Sequence, residues 1–216
     1  MEKYITTNHN FVCSEDEDTM LKSWTPHILI ESTSGFDSVT LMTKHLTDRK
    51  IFLIGEVDNV MANQFVSELL YLAESDEPID IYINSPGGSV TSGLVIYDVI
   101  QSLDGKVPIN MYCMGSASSM AAVILAGGQK GRRYILPHSK CMIHEPLIPG
   151  GMGGSATSIK KTADSILETK AITNGILAKH TGKTIEEIDA ATSFDNFMNA
   201  EEAVAFGLVD EIRNIL

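Results

Sequence analysis

The chain has 216 residues, with 16 Lys and Arg against 28 Asp and Glu, and a formal net charge of −12. Apolar residues make up 44% and charged residues 20%, which is enough for a hydrophobic core and unlike a disordered chain. Because an acidic surface repels nucleic-acid phosphates and anionic lipids, we expect neither nucleic acid nor a membrane as a partner.

Cysteine usage and the first residues predict a cytoplasmic protein. The three cysteines, Cys13, Cys113 and Cys141, form no CxxC pair, and such a sparse, odd number indicates neither a disulfide framework nor a zinc site. The beginning, MEKYITTNHNF, lacks the apolar core of a signal peptide. The longest apolar run, Met120–Ala126, is far shorter than the roughly 20 residues of a membrane-spanning helix. We expect no metal ion and no cofactor.

The domain organisation is predicted to be simple. Residues 1–26 are polar and contain the acidic run Glu15 to Asp18, which is typical of an arm or loop. Residues 27–216 are predicted to form one domain, since single α/β domains often reach about 200–250 residues. No internal repeat is visible in the chain.

Short apolar runs alternate with stretches of helical periodicity along this domain. The runs predicted as strands are Lys50–Ile54, Ile79–Ile83, Val107–Met114, Arg132–Ile135, Lys140–Ile143 and Leu208–Ile212. Helices are predicted to begin after Asp58, at Thr91 or Ser92, and at Ser118. Such alternation indicates an α/β fold of βαβ units around a largely parallel sheet, with right-handed connections.

The last third of the chain begins with a loop rich in Gly and Pro, Glu145–Gly154. Residues 155–180 then have the periodicity of one helix, about 39 Å long, which Gly182 ends. A domain of this size cannot cover so long a helix, so part of it is expected to protrude and contact another subunit. Capping-box pairs, Thr184 with Glu187 and Asn199 with Glu202, predict the starts of two further helices.

Two polar segments follow predicted strands, at the edge where parallel sheets bind ligands. The first, Asn84–Gly88 (NSPGG), is predicted as a loop. Its glycines expose backbone N–H groups, so Gly88 is a candidate oxyanion donor, although a plain turn explains it too. The second, GSASSM, offers a candidate nucleophile and a further N–H donor at Met120. Spacing does not choose among its serines, and helix capping is their commoner role: Ser116, Ser118 and Ser119.

A serine nucleophile needs a base and a carboxylate that orients the base. His144 follows an apolar strand at the same sheet edge, although a lone histidine there is more often structural. Asp195 lies between Phe194 and Phe197, so its surroundings are expected to be dry, while a turn-forming aspartate is the plainer interpretation. Other carboxylates of the last third remain candidates: Glu186, Glu187, Asp189, Glu201, Glu202, Asp210 and Glu211. A Ser–Lys dyad with Lys140 has no further support.

Four ordered segments together resemble the Clp protease proteolytic subunit, a serine peptidase. They are INSPGGSVTSGLVIYD (83–98), CMGSASSMAAVIL (113–125), LPHSKCMIHEPL (136–147) and FDNFMNAEEAVAFGLVDEI (194–212). The resemblance runs from about Ile28 to Ile212. It implies a crotonase-like βαβ superhelix with a protruding long handle helix, the handle comprising residues 145–181. It also implies an assembly of two stacked heptameric rings around a closed chamber.

The resemblance also assigns roles to residues. It implies that Ser119 is the nucleophile, His144 the base and Asp195 the third member of a triad, with oxyanion N–H groups from Gly88 and Met120. The implied substrates are unfolded polypeptides, delivered by an AAA+ unfoldase of the ClpX, ClpA or ClpC type. Residues 1–26 lie where the family has its axial pore loops. The expected function is that of an ATP-dependent serine endopeptidase core subunit.

Several positions depart from the family pattern. Ser193 and Phe194 replace an Asp-Arg pair whose arginine pairs across the rings, and Ser155 and Ser158 replace handle residues that hydrogen-bond between rings. Asp80 replaces an aromatic of the partner-docking pocket, although Tyr82 is kept. These changes predict a divergent paralogue that forms a homo-oligomer or a hetero-oligomer with a second isoform.

Three other functions remain open. One is a non-catalytic or accessory ring subunit that supports an active isoform. Another is a crotonase-type acyl-CoA enzyme, which would share the fold and the paired oxyanion N–H groups but would need an acid/base carboxylate and no Ser–His pair. The third is a phage-type capsid-maturation protease with a related fold.

Overall fold

The computed structural model describes residues 5–6, 26–32, 35–148, 150–151 and 153–215. The chain divides into two compact units, with the boundary between Lys50 and Ile51. Most of the predicted N-terminal arm lies outside the described residues. No helix in the described part of the chain is both long enough and apolar enough to cross a bilayer.

The first unit contains a three-stranded antiparallel sheet. Its strands are β1 (Ile5–Thr6), β2 (His27–Ser32) and β3 (Gly35–Thr40), with β2 in the middle. A short helix follows, α1 (Leu41–Thr47), whose first turn is capped by the Thr40 hydroxyl. The β2–β3 hairpin was not predicted from the sequence, because its strands alternate only weakly between polar and apolar residues.

The second unit is built on a seven-stranded, mostly parallel sheet. Its strands are β4 (Lys50–Val57), β5 (Ile79–Gly88), β6 (Ile109–Ser118), β7 (Arg133–Ile135), β8 (Lys140–Ile143), β9 (Asn196–Met198) and β10 (Glu211–Ile212). The main path runs β10-β7-β6-β5-β4, while β8 pairs with the end of β6 and β9 pairs antiparallel with β8. This architecture confirms the predicted α/β fold.

The described part of this unit contains six helices. They are α2 (Asn59–Leu72), α3 (Val90–Ser102), α4 (Met120–Ala126), α5 (Ala156–Thr181), α6 (Ile185–Thr192) and α7 (Ala200–Phe206). The predicted caps are confirmed: Asp58 accepts a hydrogen bond from the Met61 N–H, and both capping boxes are present. Helix α3 begins earlier than predicted, because Ser89 supplies its cap.

The core lies between the sheet and the helices that cover it. Alternate residues of β5 and β6 are fully buried, and all seven residues of α4 are buried against β5, β6 and α3. Burial of each large aliphatic side chain contributes about 1.5–3 kcal/mol to stability. Cys113 and Cys141 are buried in this core as free thiols.

Two strands extend further than predicted. The loop expected at residues 84–88 is the end of β5. Strand β6 continues to Ser118, where a helix start was predicted, instead of ending at Met114, and α4 begins at Met120. The pairing shifts register between Ile83 and Ser85, after which Ser85 lies opposite Ala117. Gly, Pro and Ser suggested a loop in the first segment, and Gly115 suggested the end of a strand in the second, but the two extended backbones pair with each other. Similarly, β4 continues through Gly55, where a strand end was predicted.

The long helix α5 is buried only in its second half. Thr173, Asn174 and Leu177 are buried, whereas none of residues 156–172 is. Gly182 ends the helix in a left-handed conformation, as predicted. The exposed first half is therefore available to contact other chains.

Candidate active site

Ser119 lies at a sharp turn between β6 and α4. Its backbone has φ +54° and ψ −123°, a conformation that residues other than glycine avoid and that costs about 1–3 kcal/mol. The turn is held because the Ser119 N–H donates to the Met142 carbonyl at 2.8 Å and the following helix is buried. A strained strand-to-helix turn presents a serine hydroxyl at the sheet edge, as in nucleophile elbows.

The structure brings Ser119, His144 and Asp195 together in one hydrogen-bonded chain. Ser119 Oγ lies 2.8 Å from His144 Nε2, and His144 Nδ1 lies 2.9 Å from Asp195 Oδ1. In the tautomer that satisfies both contacts, the Nδ1–H donates to the carboxylate and Nε2 accepts from the hydroxyl. This arrangement suits proton transfer from the serine oxygen.

Strand pairing sets these distances. His144 directly follows β8, whose Met142 lies opposite Ser118, one residue before Ser119. Asp195 directly precedes β9, whose Asn196 lies opposite Ile143. Each of the three side chains is therefore adjacent in sequence to a strand residue paired within the same sheet.

The remaining serines of the segment are not partners of the histidine. Ser116 Oγ and Ser118 Oγ are 2.8 Å apart and hydrogen-bond to each other. Within the described part of the chain, no side-chain hydrogen bond joins Lys140 Nζ to any of the three serines. The choice that spacing left open is thus resolved by geometry, since His144 contacts Ser119.

The predicted oxyanion segment packs against the same turn. Gly87 has φ +90°, and a Cβ there would lie 2.7 Å from Ser119 Cβ and 2.9 Å from the Met120 nitrogen. Gly88 is the next residue, and Met120 is the first residue of α4, whose N–H has no acceptor within the helix. The need for glycine at position 87 was missed from the sequence, because it arises from contact with a segment 30 residues away.

A small apolar pocket opens beside Ser119 and His144. It is lined by side chains from the start of α3, from α4, from the β8–α5 segment and from α5: Val90, Met120, Val123, Ile143, Pro146, Thr173 and Leu177. The described residues contain no cluster of three or more His, Cys, Asp or Glu side chains able to hold a metal ion.

The surroundings of Asp195 are not dry, contrary to expectation. Its side chain is 60% exposed in the single chain. Phe194 and Phe197 do not cover it, since they are 86% and 63% exposed themselves. The sequence suggested burial because aromatic residues flank the aspartate, but both rings point away from the core.

Several of the other candidate carboxylates have partners outside the proposed triad. Glu187 and Glu202 belong to capping boxes, and Asp189 accepts a hydrogen bond from Asn174. Asp210 binds Arg133 through two oxygens. Burial raises the pKa of Asp210, but hydrogen bonds and charge from Arg133, with a further hydrogen bond from Lys130, outweigh it and hold the pKa far below its usual value.

A row of aromatic side chains crosses the sheet away from the serine. Phe52, Tyr82, Tyr112 and Tyr134 stack with successive ring-centroid distances of 5.3, 5.2 and 5.0 Å. The Arg213 guanidinium lies 4.0 Å from the Tyr134 ring centroid. Burial, followed by the charge of Asp80, raises the pKa of Tyr82 to about 12, so its hydroxyl stays neutral.

The sequence model of the Clp protease family matches residues 33–215, which is most of the chain. The chain therefore belongs to the Clp protease family, a family of serine peptidases. Members of the family generally assemble as double rings and associate with AAA+ unfoldases. Membership confirms the predicted resemblance and, with the mostly parallel sheet, the predicted fold class.

Proposed function

We propose that this protein is a serine endopeptidase subunit that hydrolyses unfolded polypeptides through Ser119, His144 and Asp195. The observation that carries the proposal is the continuous hydrogen bonding from the serine hydroxyl through the imidazole to the carboxylate, at 2.8 and 2.9 Å. Membership of a peptidase family supports the same chemistry. An acyl-CoA enzyme would have no use for such a relay.

The reaction follows from this geometry. Ser119 Oγ attacks the carbonyl carbon of a peptide while His144 Nε2 takes its proton, and Asp195 stabilises the resulting imidazolium. Collapse of the tetrahedral intermediate breaks the C–N bond, and His144 returns the proton to the leaving amine. Water then attacks the acyl-enzyme by the same steps and releases the acid.

Backbone N–H groups of Gly88 and Met120 are proposed to bind the oxyanion. Two features support them: Gly87 packs directly against the Met120 nitrogen, and the start of α4 favours negative charge. The pocket beside Ser119 favours an apolar substrate side chain, because its walls are aliphatic apart from Thr173 and the two reacting residues.

Assembly is proposed to follow the family: two heptameric rings, formed by this chain alone or with a second isoform. We propose the handle, residues 145–181, as the ring-to-ring element, and residues 27–216 as one peptidase domain. Support comes from large apolar side chains that the single chain leaves exposed on or near the handle: Leu147, Ile159, Leu167, Ile172, Phe194 and Phe197. Such side chains mark surfaces that other chains cover.

A hexameric AAA+ unfoldase is the proposed source of substrate, which makes degradation of folded proteins dependent on ATP. The aromatic row from Phe52 to Tyr134 supports a docking site for an apolar segment of that partner. We propose that the enzyme works in the cytoplasm, where the two buried thiols remain reduced.

A fluorophosphonate probe tests the proposal, because it labels only an activated serine. We expect one adduct, mapped to Ser119 by peptide mass spectrometry, that is lost in Ser119→Ala and His144→Ala. Ser116→Ala is the matched control, since that serine belongs to the same segment but its hydroxyl hydrogen-bonds to the Ser118 hydroxyl instead of His144. A probe that labels nothing in the purified protein, with or without a partner isoform, would favour the accessory-subunit function instead.

Ring composition is tested separately by negative-stain imaging and a peptidase assay of the protein alone. Low activity that rises on addition of a second isoform would support a hetero-oligomer. A fully active homotetradecamer would reject that dependence and leave the peptidase mechanism intact.

A further inference from the structure

Helix α5 contacts both chain segments that hold the base and its carboxylate. From α5, Lys170 Nζ lies 2.9 Å from Glu145 Oε2 and 4.0 Å from Asp189 Oδ1. Glu145 directly follows His144, and Asp189 belongs to α6, the helix that leads to Asp195. The Lys170 ammonium group therefore links the segment that carries His144 to the segment that carries Asp195.

Buried polar contacts complete this connection. Asn174, one turn after Lys170 and only 2% exposed, donates through Nδ2 to Asp189 Oδ1 and to Thr192 Oγ1. The Thr192 carbonyl accepts the Glu145 N–H at 2.8 Å. The residue after the base is thus held at its backbone by the end of α6 and at its side chain by α5.

We propose that Lys170 is a positioning residue for the triad, holding Glu145 and Asp189 so that His144 stays within hydrogen-bond distance of Asp195. The inference rests on the proposed peptidase function, since it concerns the same site. Lys170 touches neither substrate nor the reacting atoms, and it acts through the segments that carry them.

Charge and exposure favour a geometric role. The hydrogen bond to Glu145 holds the pKa of Lys170 above its ordinary value, so the ammonium persists at neutral pH. Both carboxylates are more than one-third exposed, and ion pairs that exposed add little to stability. The catalytic rate depends much more strongly on the position of the reacting groups, because a displacement of about 1 Å can lower the rate by about 100-fold.

The test compares Lys170→Met, Lys170→Arg and Lys179→Met. Methionine keeps most of the length of the side chain and removes the charge, and arginine keeps the charge. Lys179 lies further along the same helix and contacts the neutral Gln101 at 3.4 Å, so its variant is the matched control. The readouts are kcat and KM for a short fluorogenic peptide, the rate of fluorophosphonate labelling at Ser119, and the oligomeric state by sedimentation.

We expect Lys170→Met to lower kcat and the labelling rate by about 10–100-fold with KM within about twofold of wild type. Lys170→Arg should recover most of the loss, and Lys179→Met should stay within about twofold. The variant Glu145→Gln removes the other charge of the same ion pair and should also lower kcat. It provides a second test if Lys170→Met does not fold.

If wild type labels at Ser119, two results overturn the inference and leave the proposed function standing. One is an unchanged kcat in both Lys170→Met and Glu145→Gln. The other is a change in these variants that affects KM alone. A wild type that never labels at Ser119 overturns the proposed function and, with it, the inference.

Discussion

The two ends of the hydrogen-bonded chain are held in different ways. Ser119 directly precedes α4, and every residue of that helix is buried. The Ser119 N–H donates a hydrogen bond to the Met142 carbonyl of β8. Asp195 is 60% exposed, and the aromatic rings beside it are exposed as well. The nucleophile is therefore fixed by the core of its own chain, whereas the carboxylate is held by only a few surface contacts.

The largest effect is expected at the exposed end. Asp195→Asn keeps the size of the side chain but replaces an acceptor with an amide that favours the wrong imidazole tautomer. We expect kcat for a peptide to fall by about 10²–10⁴-fold. Asp164→Asn, an equally exposed aspartate on α5, is the control and should leave kcat unchanged. Full activity of Asp195→Asn would mean that the exposed carboxylate contributes nothing.

At the buried end, Arg133 anchors the helix that follows the serine. It is 1% exposed and donates to the Ala126 carbonyl at the end of α4, to the His180 carbonyl and to Asp210. Arg133→Met should lower the unfolding free energy by about 3–5 kcal/mol, because it removes the two-point partner of the largely buried Asp210 carboxylate and the donor to the Ala126 and His180 carbonyls. Arg132→Met, its half-buried neighbour, should cost about 1 kcal/mol or less in urea unfolding. Equal losses of unfolding free energy in Arg133→Met and Arg132→Met would contradict the claim that Arg133 anchors the buried end.

The same pair predicts the acid sensitivity of that end. Since Arg133 depresses the pKa of Asp210 in the fold below its unfolded value of about 3.9, the stabilisation is fully present above pH about 4 and is lost as pH falls toward the folded pKa. The difference in unfolding free energy between wild type and Asp210→Asn should therefore shrink below pH about 4. A difference that stays constant between pH about 6 and 3 would contradict this.

Gly87 tests how closely the oxyanion segment packs on the nucleophile turn. Alanine there would need a positive φ and would place Cβ 2.6 Å from the Ser118 carbonyl oxygen. We expect a loss of about 2–4 kcal/mol in unfolding free energy, together with loss of labelling at Ser119. Gly105→Ala, with φ +73° but open space around it, should cost only about 1 kcal/mol and keep labelling.

The smallest effect on stability is expected for Phe194→Ser. Because this ring is 86% exposed, the substitution should change the unfolding free energy of a single chain by less than about 0.5 kcal/mol. If another chain covers the ring, sedimentation should show weaker association than in wild type. Unchanged association at all concentrations would show that Phe194 is not part of a subunit contact.

Local chemistry made much of the fold predictable. Asp58 and the capping boxes at Thr184 and Asn199 act within one helical turn, so the residues themselves indicate where helices begin. The extension of β5 to Gly88 was missed, because its partner is the end of β6 and the pairing is long-range.

The site could be predicted only in part, for the same reason. Position at a strand end selected His144, and the family resemblance selected Ser119 and Asp195, but spacing alone left three serines open. The positive φ of Ser119 and the ion pair between Lys170 and Glu145 arise from packing of distant segments, so no local sequence pattern predicts them. The exposure of Asp195 was wrongly predicted because flanking aromatic residues do not determine which way their rings point.

The most direct measurement is a crystal structure of the assembled protein after reaction with a fluorophosphonate. We expect a bond from Ser119 Oγ to phosphorus, with one phosphoryl oxygen about 2.7–3.1 Å from the N–H nitrogens of both Gly88 and Met120. His144 should still bond to Asp195. An adduct on another serine, or a phosphoryl oxygen directed away from both nitrogens with Asp195 detached from His144, would contradict the proposed mechanism.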